Sequence, residues 1–385
     1  MSFRTLIFWP HLVCGVAAGL VILIMSATGV VLTYEKQVIA WADSRRLPAH
    51  AAGTERLPAG QLLERAREGL GEAPATLIVS ASPADPAVVT VGQRRVLVDP
   101  YSGAVLGDSA PKLRAFFRGV TDWHRWLAMA GERRAFGKAI TGWSNLVFAF
   151  IVLSGMYLWL PRVWSWRQLR AVTWFRGGLH KKARDFNWHN VIGIWSAVPL
   201  FLVVISALPI SFPWAGNLLY RLAGEAPPAA AGRPAAGTTN VERRTAKSDA
   251  LPIEGVDSAW ARAVGQSDGW KTITLRVPPS APAPFVFTID RGYAGQPQYR
   301  GTLTIPREAG QAVKWETFEA QSAGRRARSI SRFLHTGEVL GLVGQTIAGL
   351  VSLGGVFLVW TGLALTWRRF TAWRAKKQPR ESIAA

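Results

Sequence analysis

Residues 189–210 read HNVIGIWSAVPLFLVVISALPI, a stretch of 22 residues without a single Lys, Arg, Asp or Glu. Three further stretches share this property, namely Trp9–Thr33, Trp143–Leu160 and Gly341–Trp367. A helix needs about 17–25 predominantly apolar residues to cross a bilayer, and all four stretches fall within or close to that range. The sequence therefore predicts an α-helical membrane protein with four transmembrane helices.

The composition agrees with this prediction and excludes other classes. Hydrophobic residues make up 49% of the 385 residues, yet 45 Lys and Arg stand against 24 Asp and Glu, a formal net charge of +21. An apolar and basic chain is typical of membrane helices with basic flanks, and no DNA- or RNA-binding motif accompanies the charge, so no nucleic-acid partner is expected. The single cysteine, Cys14, excludes intrachain disulfides and cysteine-based metal sites, which leaves six histidines for any metal chemistry.

The distribution of positive charge predicts the orientation in the membrane. The short segments 1–8, 161–188 and 368–385 hold 14 Lys and Arg against 2 acidic residues. The long loops 34–142 and 211–340 hold 31 against 22, at about half the density. By the positive-inside rule both termini and the 161–188 loop are cytoplasmic. We therefore expect a multi-pass protein of the bacterial inner membrane with its two long loops in the periplasm.

Each long loop contains the pattern of a small α+β module. In the first loop a helix over Gln61–Leu70 precedes extended runs at Thr76–Ser80, Val88–Val91 and Arg95–Val98, and a turn within Val98–Leu106 joins two extended segments. In the second loop the low-complexity stretch Gly224–Thr239 predicts a linker. A helix near Val256–Val264 follows it, and then strands near Thr272–Val277, Phe285–Asp290, Gln298–Ile305 and Val313–Phe318. The second module ends in the segment that contains His335.

Four histidines lie at the ends of the predicted membrane helices. His11 and His189 open the first and third helices on the cytoplasmic side, whereas His124 and His335 lie outside, ahead of the second and fourth helices. His50 falls in a Pro- and Ala-rich stretch, and we assign it no functional role.

An internal repeat relates the two halves of the chain. Thr28-Gly29 follows His11 by 17 residues, and Ser206-Ala207 follows His189 by the same number, or about 25 Å of helix. The second and fourth helices end in the matching phrases SGMYLW, from Ser154, and TGLALTW, from Thr361. The chain is thus organised as two tandem two-helix units, each with one histidine at each membrane face.

Paired imidazoles at one depth on facing helices are what a haem with two axial ligands requires. The sequence therefore predicts two haems, an outer one held by His124 and His335 and an inner one held by His11 and His189. Covalent c-type attachment is excluded because the chain has no pair of cysteines.

Neighbouring cationic residues complete this prediction. Arg125 and Arg332, each close in sequence to an outer histidine, are candidates to pair with haem propionates. His180, in the basic cytoplasmic loop, is the reserve ligand for the inner site. The alternative is that these histidines are interfacial or helix-capping residues without a metal.

Several phrases of the chain resemble a known family. FNWHNVIGIW at residues 186–195, LSGMYLWLPR at 153–162 and LHTGE at 334–338 look like the PepSY-associated transmembrane proteins of Gram-negative inner membranes. VDPYSGAVL at 98–106 is similar to the end of a PepSY module. The length and architecture resemble the FoxB-type ferric-siderophore reductases of that family.

The resemblance implies a function. It implies b-type haems held by histidines, here His11, His124, His189 and His335, and reduction of siderophore-bound iron on the periplasmic face. The chain has no nucleotide- or flavin-binding motif, so we expect the electron donor to be a cytoplasmic reductase or quinol. Two other readings remain open. One is a membrane-anchored periplasmic binding or regulatory module without redox activity, and the other, ranked last, is a transporter.

Overall fold

A computed structural model describes residues 2–51, 53–161, 163–228, 251–293, 295–308 and 311–377. The predicted linker lies outside these residues from position 229 onward, as does the end of the predicted cytoplasmic tail after position 377. The chain divides into two compact units. The helical unit comprises residues 1–33, 118–218 and 331–385, and the sheet unit comprises residues 34–117 and 219–330.

Twelve α-helices lie in the described part of the chain. In chain order they are α1 (Phe3–Leu32), α2 (Glu35–Ser44), α3 (Ala59–Leu70), α4 (Pro111–Trp126), α5 (Arg134–Trp159), α6 (Trp166–Thr173), α7 (Lys181–Ser206), α8 (Leu208–Ser211), α9 (Pro213–Leu222), α10 (Val256–Gly265), α11 (Ala323–His335) and α12 (Gly341–Lys377). Short 3₁₀ turns occupy Gly131–Arg133, Pro297–Tyr299 and Glu338–Leu340.

Four helical segments are long and apolar enough to cross a membrane, as the sequence predicts. They are Phe3–Ser44, Gly131–Trp159, Lys181–Ser211 and Glu338–Ala375. Many of their large apolar side chains face outward, among them Leu20, Trp195 and Leu350, each more than 60% exposed. Such outward apolar faces suit contact with lipid tails. The chain is therefore a multi-pass membrane protein.

The helical unit has one closed core. α1 packs against α5 and α12, and α7 packs against the same two helices, so the four helices form a ring. Ile22, Phe148, Leu200 and Val351 supply one buried apolar side chain from each helix to the centre. The spans that the sequence predicts contain no Lys, Arg, Asp or Glu, and the ring of helices encloses a centre of buried apolar side chains.

The helices extend beyond the predicted spans at four of their eight ends, namely the starts of α1, α5 and α7 and the end of α12. α5 begins at Arg134 and α7 at Lys181, eight or nine residues before the predicted spans, because backbone hydrogen bonding continues through charged residues that hydropathy leaves out. The third span ends earlier, since α7 stops at Ser206 and the short α8 follows. Pro209 in α8 has no N–H to continue the hydrogen bonding of α7.

The sheet unit contains one antiparallel sheet of eight strands in the order β4-β3-β2-β1-β5-β6-β7-β8. The strands are β1 (Thr76–Ser80), β2 (Ala87–Val91), β3 (Arg94–Val98), β4 (Val105–Asp108), β5 (Thr272–Arg276), β6 (Phe285–Asp290), β7 (Arg300–Ile305) and β8 (Lys314–Glu316). β1, β2, β5 and β6 alternate buried and partly buried residues, the pattern of a sheet with one face on a core.

The two predicted modules are continuous in the structure. The sequence predicts one helix against one small sheet in each loop, and α3 with β1–β4 and α10 with β5–β8 agree with that. β1 and β5 pair antiparallel over five residues each, and this pairing joins the two halves into one sheet. The amphipathic helices α3 and α10 share a single core with both halves. Pairing removes the inner edge of each half-sheet, where unsatisfied backbone groups would otherwise lie.

His50 belongs to a structural turn of this unit. Asp99 is buried, accepts hydrogen bonds from the Tyr101 and Ser102 N–H groups and from the Ser102 hydroxyl, and lies 3.0 Å from His50 Nε2. Burial alone raises the pKa of Asp99, but these hydrogen bonds and His50 outweigh it, so the pKa lies below its usual value. The contact fixes the turn between β3 and β4.

Candidate functional site

Two histidines from distant parts of the sequence face each other in the helical unit. His124 lies in the last turn of α4 and His335 is the last residue of α11. Their ring centres are 6.1 Å apart and their planes are inclined by 45°. These two residues, called the first histidine pair below, are the two that the sequence analysis assigned to one site.

The ring of His124 is held by the Thr28-Gly29 pair of α1. Nδ1 of His124 lies 3.0 Å from the Thr28 hydroxyl. That hydroxyl donates its own proton to the Ile24 carbonyl at 2.6 Å, so it accepts from the ring N–H. A Cβ at Gly29 would lie 3.6 Å from Cε1 of His124, which shows how closely the ring approaches the helix backbone.

His335 uses a different acceptor. Its Nδ1 lies 2.9 Å from the backbone carbonyl oxygen of Val203, near the end of α7. The last turn of α7 tightens so that the Ala207 N–H bonds to Val204 instead, and the Val203 carbonyl is left for other donors. The repeat would place Ser206-Ala207 opposite His335, but Ser206 donates to the same carbonyl instead of meeting the ring.

His11 and His189 repeat the arrangement of His124 and are called the second histidine pair below. His11 Nδ1 lies 2.9 Å from the Ser154 hydroxyl, and His189 Nδ1 lies 2.9 Å from the Thr361 hydroxyl. Both hydroxyls donate to the carbonyl four residues earlier at 2.7 Å, so both accept from the ring.

Glycines again follow the two hydroxyl residues. A Cβ at Gly155 would lie 3.3 Å from Cε1 of His11, and a Cβ at Gly362 would lie 3.4 Å from Cε1 of His189. Each Ser/Thr-Gly pair therefore supplies an acceptor for Nδ1 and a flat stretch of backbone beside the ring.

All four rings share one protonation pattern. In the part of the chain that the structure describes, every hydrogen bond that these imidazoles make is at Nδ1. The acceptors place the proton on Nδ1, so the lone pair of each neutral ring is on Nε2. A histidine that ligates a metal through Nε2 typically donates Nδ1–H to a neighbouring acceptor in this way. Each of the four rings therefore leaves its Nε2 lone pair without a hydrogen bond among the described residues.

The spacing of the first pair suits a metal between the rings. Two imidazoles that ligate one metal from opposite sides, each with a metal–nitrogen bond of about 2.0 Å, have ring centres about 6 Å apart. The observed distance is 6.1 Å. No group of three or more His, Cys, Asp or Glu side chains able to hold a metal ion occurs among the described residues. A metal held by these two protein ligands would take its remaining ligands from a macrocycle, from water or from another small molecule.

The first pair is also in the neutral form that ligates metals. Burial lowers the pKa of His124 to about 4, with smaller contributions from His335 and Arg125. Burial likewise lowers the pKa of His335. α4 and α11 lie outside the four spanning segments. Both rings are thus uncharged at neutral pH and need no proton release before binding a metal.

Three arginines lie beside the first pair. Arg125 follows His124 directly, Arg332 lies one helical turn before His335, and Arg134 opens α5. Loss of solvent around Arg125, together with the Arg134 and Arg332 charges, lowers the pKa of its guanidinium, whereas Asp122 opposes the change. Arg125 and Arg332 were predicted from the sequence, whereas Arg134 was not, because it is one of many basic residues that flank an apolar stretch.

The remaining predicted residue, His180, lies elsewhere. It is exposed and caps the N-terminus of α7, nine residues or about 13 Å before His189. Its carbonyl accepts from the Arg184 N–H, and no hydrogen bond to its ring occurs among the described residues. The structure therefore offers His189, not His180, the acceptor that orients a ligand.

The sequence analysis also missed the function of the repeated small-residue pairs. Thr28-Gly29, Ser154-Gly155 and Thr361-Gly362 were recognised as repeats, but their contacts with the histidine rings were not predicted. The signal was present as a hydroxyl residue followed by glycine, and the partner histidine is on another helix in each case.

These features define a four-helix membrane protein with two pairs of oriented histidines. The chain belongs to the family described as PepSY-associated TM region, whose model matches residues 8–369, nearly the whole length. No curated protein matches the chain significantly.

Proposed function

We propose that this chain is a di-haem b-type electron-transfer protein of the bacterial inner membrane. In this proposal it takes electrons from a cytoplasmic reductase or from quinol and reduces Fe(III)-siderophore in the periplasm, so that Fe(II) is released for uptake. The observation that carries the proposal is the shared orientation of four histidines, each with Nδ1 bonded to an acceptor and Nε2 left as the ligand atom.

The donor set favours haem over a bare ion. A porphyrin supplies four nitrogen ligands and needs only two more from the protein, which matches two histidines per site. His124 and His335 would hold one haem, and His11 and His189 the other. The glycines beside the rings of His11, His124 and His189 leave room for the imidazoles close to the backbone, and a bulkier residue there would push them away.

A haem held by two axial histidines supplies one-electron redox chemistry. The protein residues hold the ligands neutral and oriented, and the packed apolar side chains at the centre of the ring of helices exclude water and ions from the space between the two pairs. Asp, Glu, Lys and Arg are absent from the predicted spans, so these spans provide no charged group for proton relay.

The chemistry of the substrate requires no catalytic acid or base. Hydroxamate and catecholate oxygens are hard donors that bind Fe(III) far more tightly than Fe(II), so one electron releases the iron without cleaving the chelator. The charge distribution agrees with this direction of electron transfer, since positive charge concentrated in the short segments favours a periplasmic first pair and a cytoplasmic second pair.

Optical spectroscopy of the detergent-purified protein, with haem quantified per chain, tests the proposal. We expect a low-spin b-type spectrum with two haems per chain. His335→Ala should remove one haem and the reduction of ferric siderophore, while His189→Ala should remove the other haem. His180→Ala is the matched control, because this exposed histidine lacks the Nδ1 acceptor, and it should retain both haems.

Two outcomes would contradict the proposal. One is a colourless protein even after expression with added haem precursor, which would favour a membrane-anchored binding or regulatory module built on the eight-stranded sheet. The other is full reductase activity in His335→Ala.

A further inference from the structure

Two of the three arginines near the first histidine pair stack on one indole ring. The guanidinium carbons of Arg125 and Arg134 lie 4.5 Å and 3.6 Å from the centre of the Trp126 ring. Because they share this ring, the two cations lie close to one another. The guanidinium carbon of Arg332 lies 5.7 Å from the centre of the Phe333 ring. Arg332 precedes His335 by one helical turn and Arg125 follows His124, and the ring centres of these two histidines are 6.1 Å apart, so Arg332 lies on the same side of the helical unit as Arg125. Stacking fixes the planes of these groups.

None of the three guanidiniums forms an ion pair within the described residues. The arginines of the sheet unit behave differently, since Arg94 and Arg300 each lie within 3.0 Å of an aspartate oxygen. Asp122 attracts Arg125 only at longer range. Three like charges held together without a carboxylate repel one another, and an anion among them removes that cost.

We propose that Arg125, Arg134 and Arg332 form a binding site for carboxylates, and that its ligand is a ferric chelate bearing free carboxylate groups. All three arginines are exposed residues, although Arg125 has lost part of the solvent around its guanidinium, so a ligand can reach the group from solvent. A planar guanidinium binds a carboxylate through two parallel N–H···O bonds, and stacking leaves those N–H groups available at the edge of the plane.

Haem propionates are the other source of carboxylates at this place. A haem held by the first pair would carry two propionates, and each could pair with one of the guanidinium groups. The group has three arginines, one more than two propionates can occupy. One guanidinium therefore remains for a chelate when both propionates are paired. The claim that the bound chelate is a substrate rests on the proposed reductase function. The claim that the group binds carboxylates depends on the three arginines alone.

Ga(III)-citrate is the probe for the test. It is a redox-inert stand-in for a ferric chelate with free carboxylates, and a Ga(III) tris-hydroxamate without carboxylates is the comparison ligand. Calorimetric titration of the full-length protein in detergent measures binding without any redox step. Arg374→Gln is the matched control, since Arg374 is also exposed and stacked, 5.8 Å from the centre of the Phe370 ring, but lies at the end of α12.

We expect Arg134→Gln to weaken Ga(III)-citrate binding by about 10- to 100-fold, which is the loss of affinity expected when one charge-assisted hydrogen-bonding group is removed. Tris-hydroxamate binding and Arg374→Gln should show no such change. Arg134→Lys should fall between wild type and Arg134→Gln, because it keeps the charge and loses the planar fork. Added salt should weaken citrate binding in wild type more than in Arg134→Gln.

The outcomes distinguish a ferric chelate from the haem propionates as the ligand of the arginines. They also distinguish the carboxylate site from the proposed reductase function. Unchanged Ga(III)-citrate affinity in Arg134→Gln overturns the chelate site, and a shifted reduction potential of the haem in that variant would then assign the arginines to the propionates. A colourless protein that still binds Ga(III)-citrate through Arg134 would refute the reductase function and retain the carboxylate site.

Discussion

Removal of the Thr361 hydroxyl tests whether the Ser/Thr-Gly pairs orient the histidines. Thr361 is 2% exposed, and its hydroxyl accepts from His189 Nδ1 at 2.9 Å. Thr361→Val keeps the shape of the side chain but leaves the ring N–H without its acceptor. A buried donor without a partner costs about 1–3 kcal/mol, and loss of such an orienting contact typically weakens metal ligation by about 10- to 100-fold. The two magnitudes agree, since a tenfold change in affinity corresponds to about 1.4 kcal/mol.

The assay is haem affinity at the second histidine pair, measured by transfer of haem to apomyoglobin and by the reduced-minus-oxidised spectrum. We expect Thr361→Val to lose haem from that site about 10- to 100-fold more readily while the other site is unchanged. Thr361→Ser keeps the hydroxyl and should restore binding.

The same helix offers a matched control for this variant. The Thr366 hydroxyl bonds only to the Gly362 carbonyl among the described residues, so Thr366→Val removes a similar hydrogen bond without an imidazole partner. Equal effects of Thr361→Val and Thr366→Val on haem retention would refute the argument that the hydroxyl orients the ring.

Two further predictions concern the turn before α12 and the Asp99 turn. In Gly344→Ala the new Cβ would lie 2.1 Å from the Gly337 carbonyl oxygen, so the turn must open and displace His335. We expect loss of haem from the first pair only, seen in the optical spectrum, whereas Gly15→Ala, with open space around its Cβ, should change nothing. Asp99→Asn should lower the free energy of unfolding by about 1–3 kcal/mol at pH 7. The depressed pKa of Asp99 gives a stabilisation that is present above its unfolded-state pKa, near 4, and is lost as the pH falls through the lower folded value. The difference from wild type, followed by denaturant unfolding, should therefore narrow between pH 5 and pH 2, and a constant difference would contradict this reasoning.

Local pattern was sufficient for most secondary structure. β1 and β6 have the bounds that the alternating apolar residues predict, and α3 and α10 lie within two residues of their predicted bounds. α4 and α11 were not predicted as helices, although they carry His124 and His335. Both are polar amphipathic helices next to membrane spans, and their charged residues were attributed to loops. The pairing of β1 with β5 was also missed, because pairing between strands from different loops leaves no local trace in the sequence.

The surroundings of the histidines are likewise predictable from the sequence only in part. The equal spacing from His11 to Thr28 and from His189 to Ser206 is a property of the sequence, and it predicts which histidines share a depth in the membrane. The sequence does not predict that His335 meets the Val203 carbonyl instead of Ser206. That contact depends on how the last turn of α7 tightens before Pro209, which releases one carbonyl at the position that the ring reaches.

The sequence by itself determined the number of membrane spans and the α+β class of the long loops, and it predicted which histidines face each other at the first pair. The length of a charge-free stretch decides whether a helix can cross a bilayer, and the type of side chain decides whether it can ligate a metal. Both are local properties of the sequence. Only the tertiary structure decided which nitrogen of each histidine is free, and that Arg134 joins Arg125 on the Trp126 ring. These features depend on distances of a few ångströms between groups on different helices, and packing alone sets those distances.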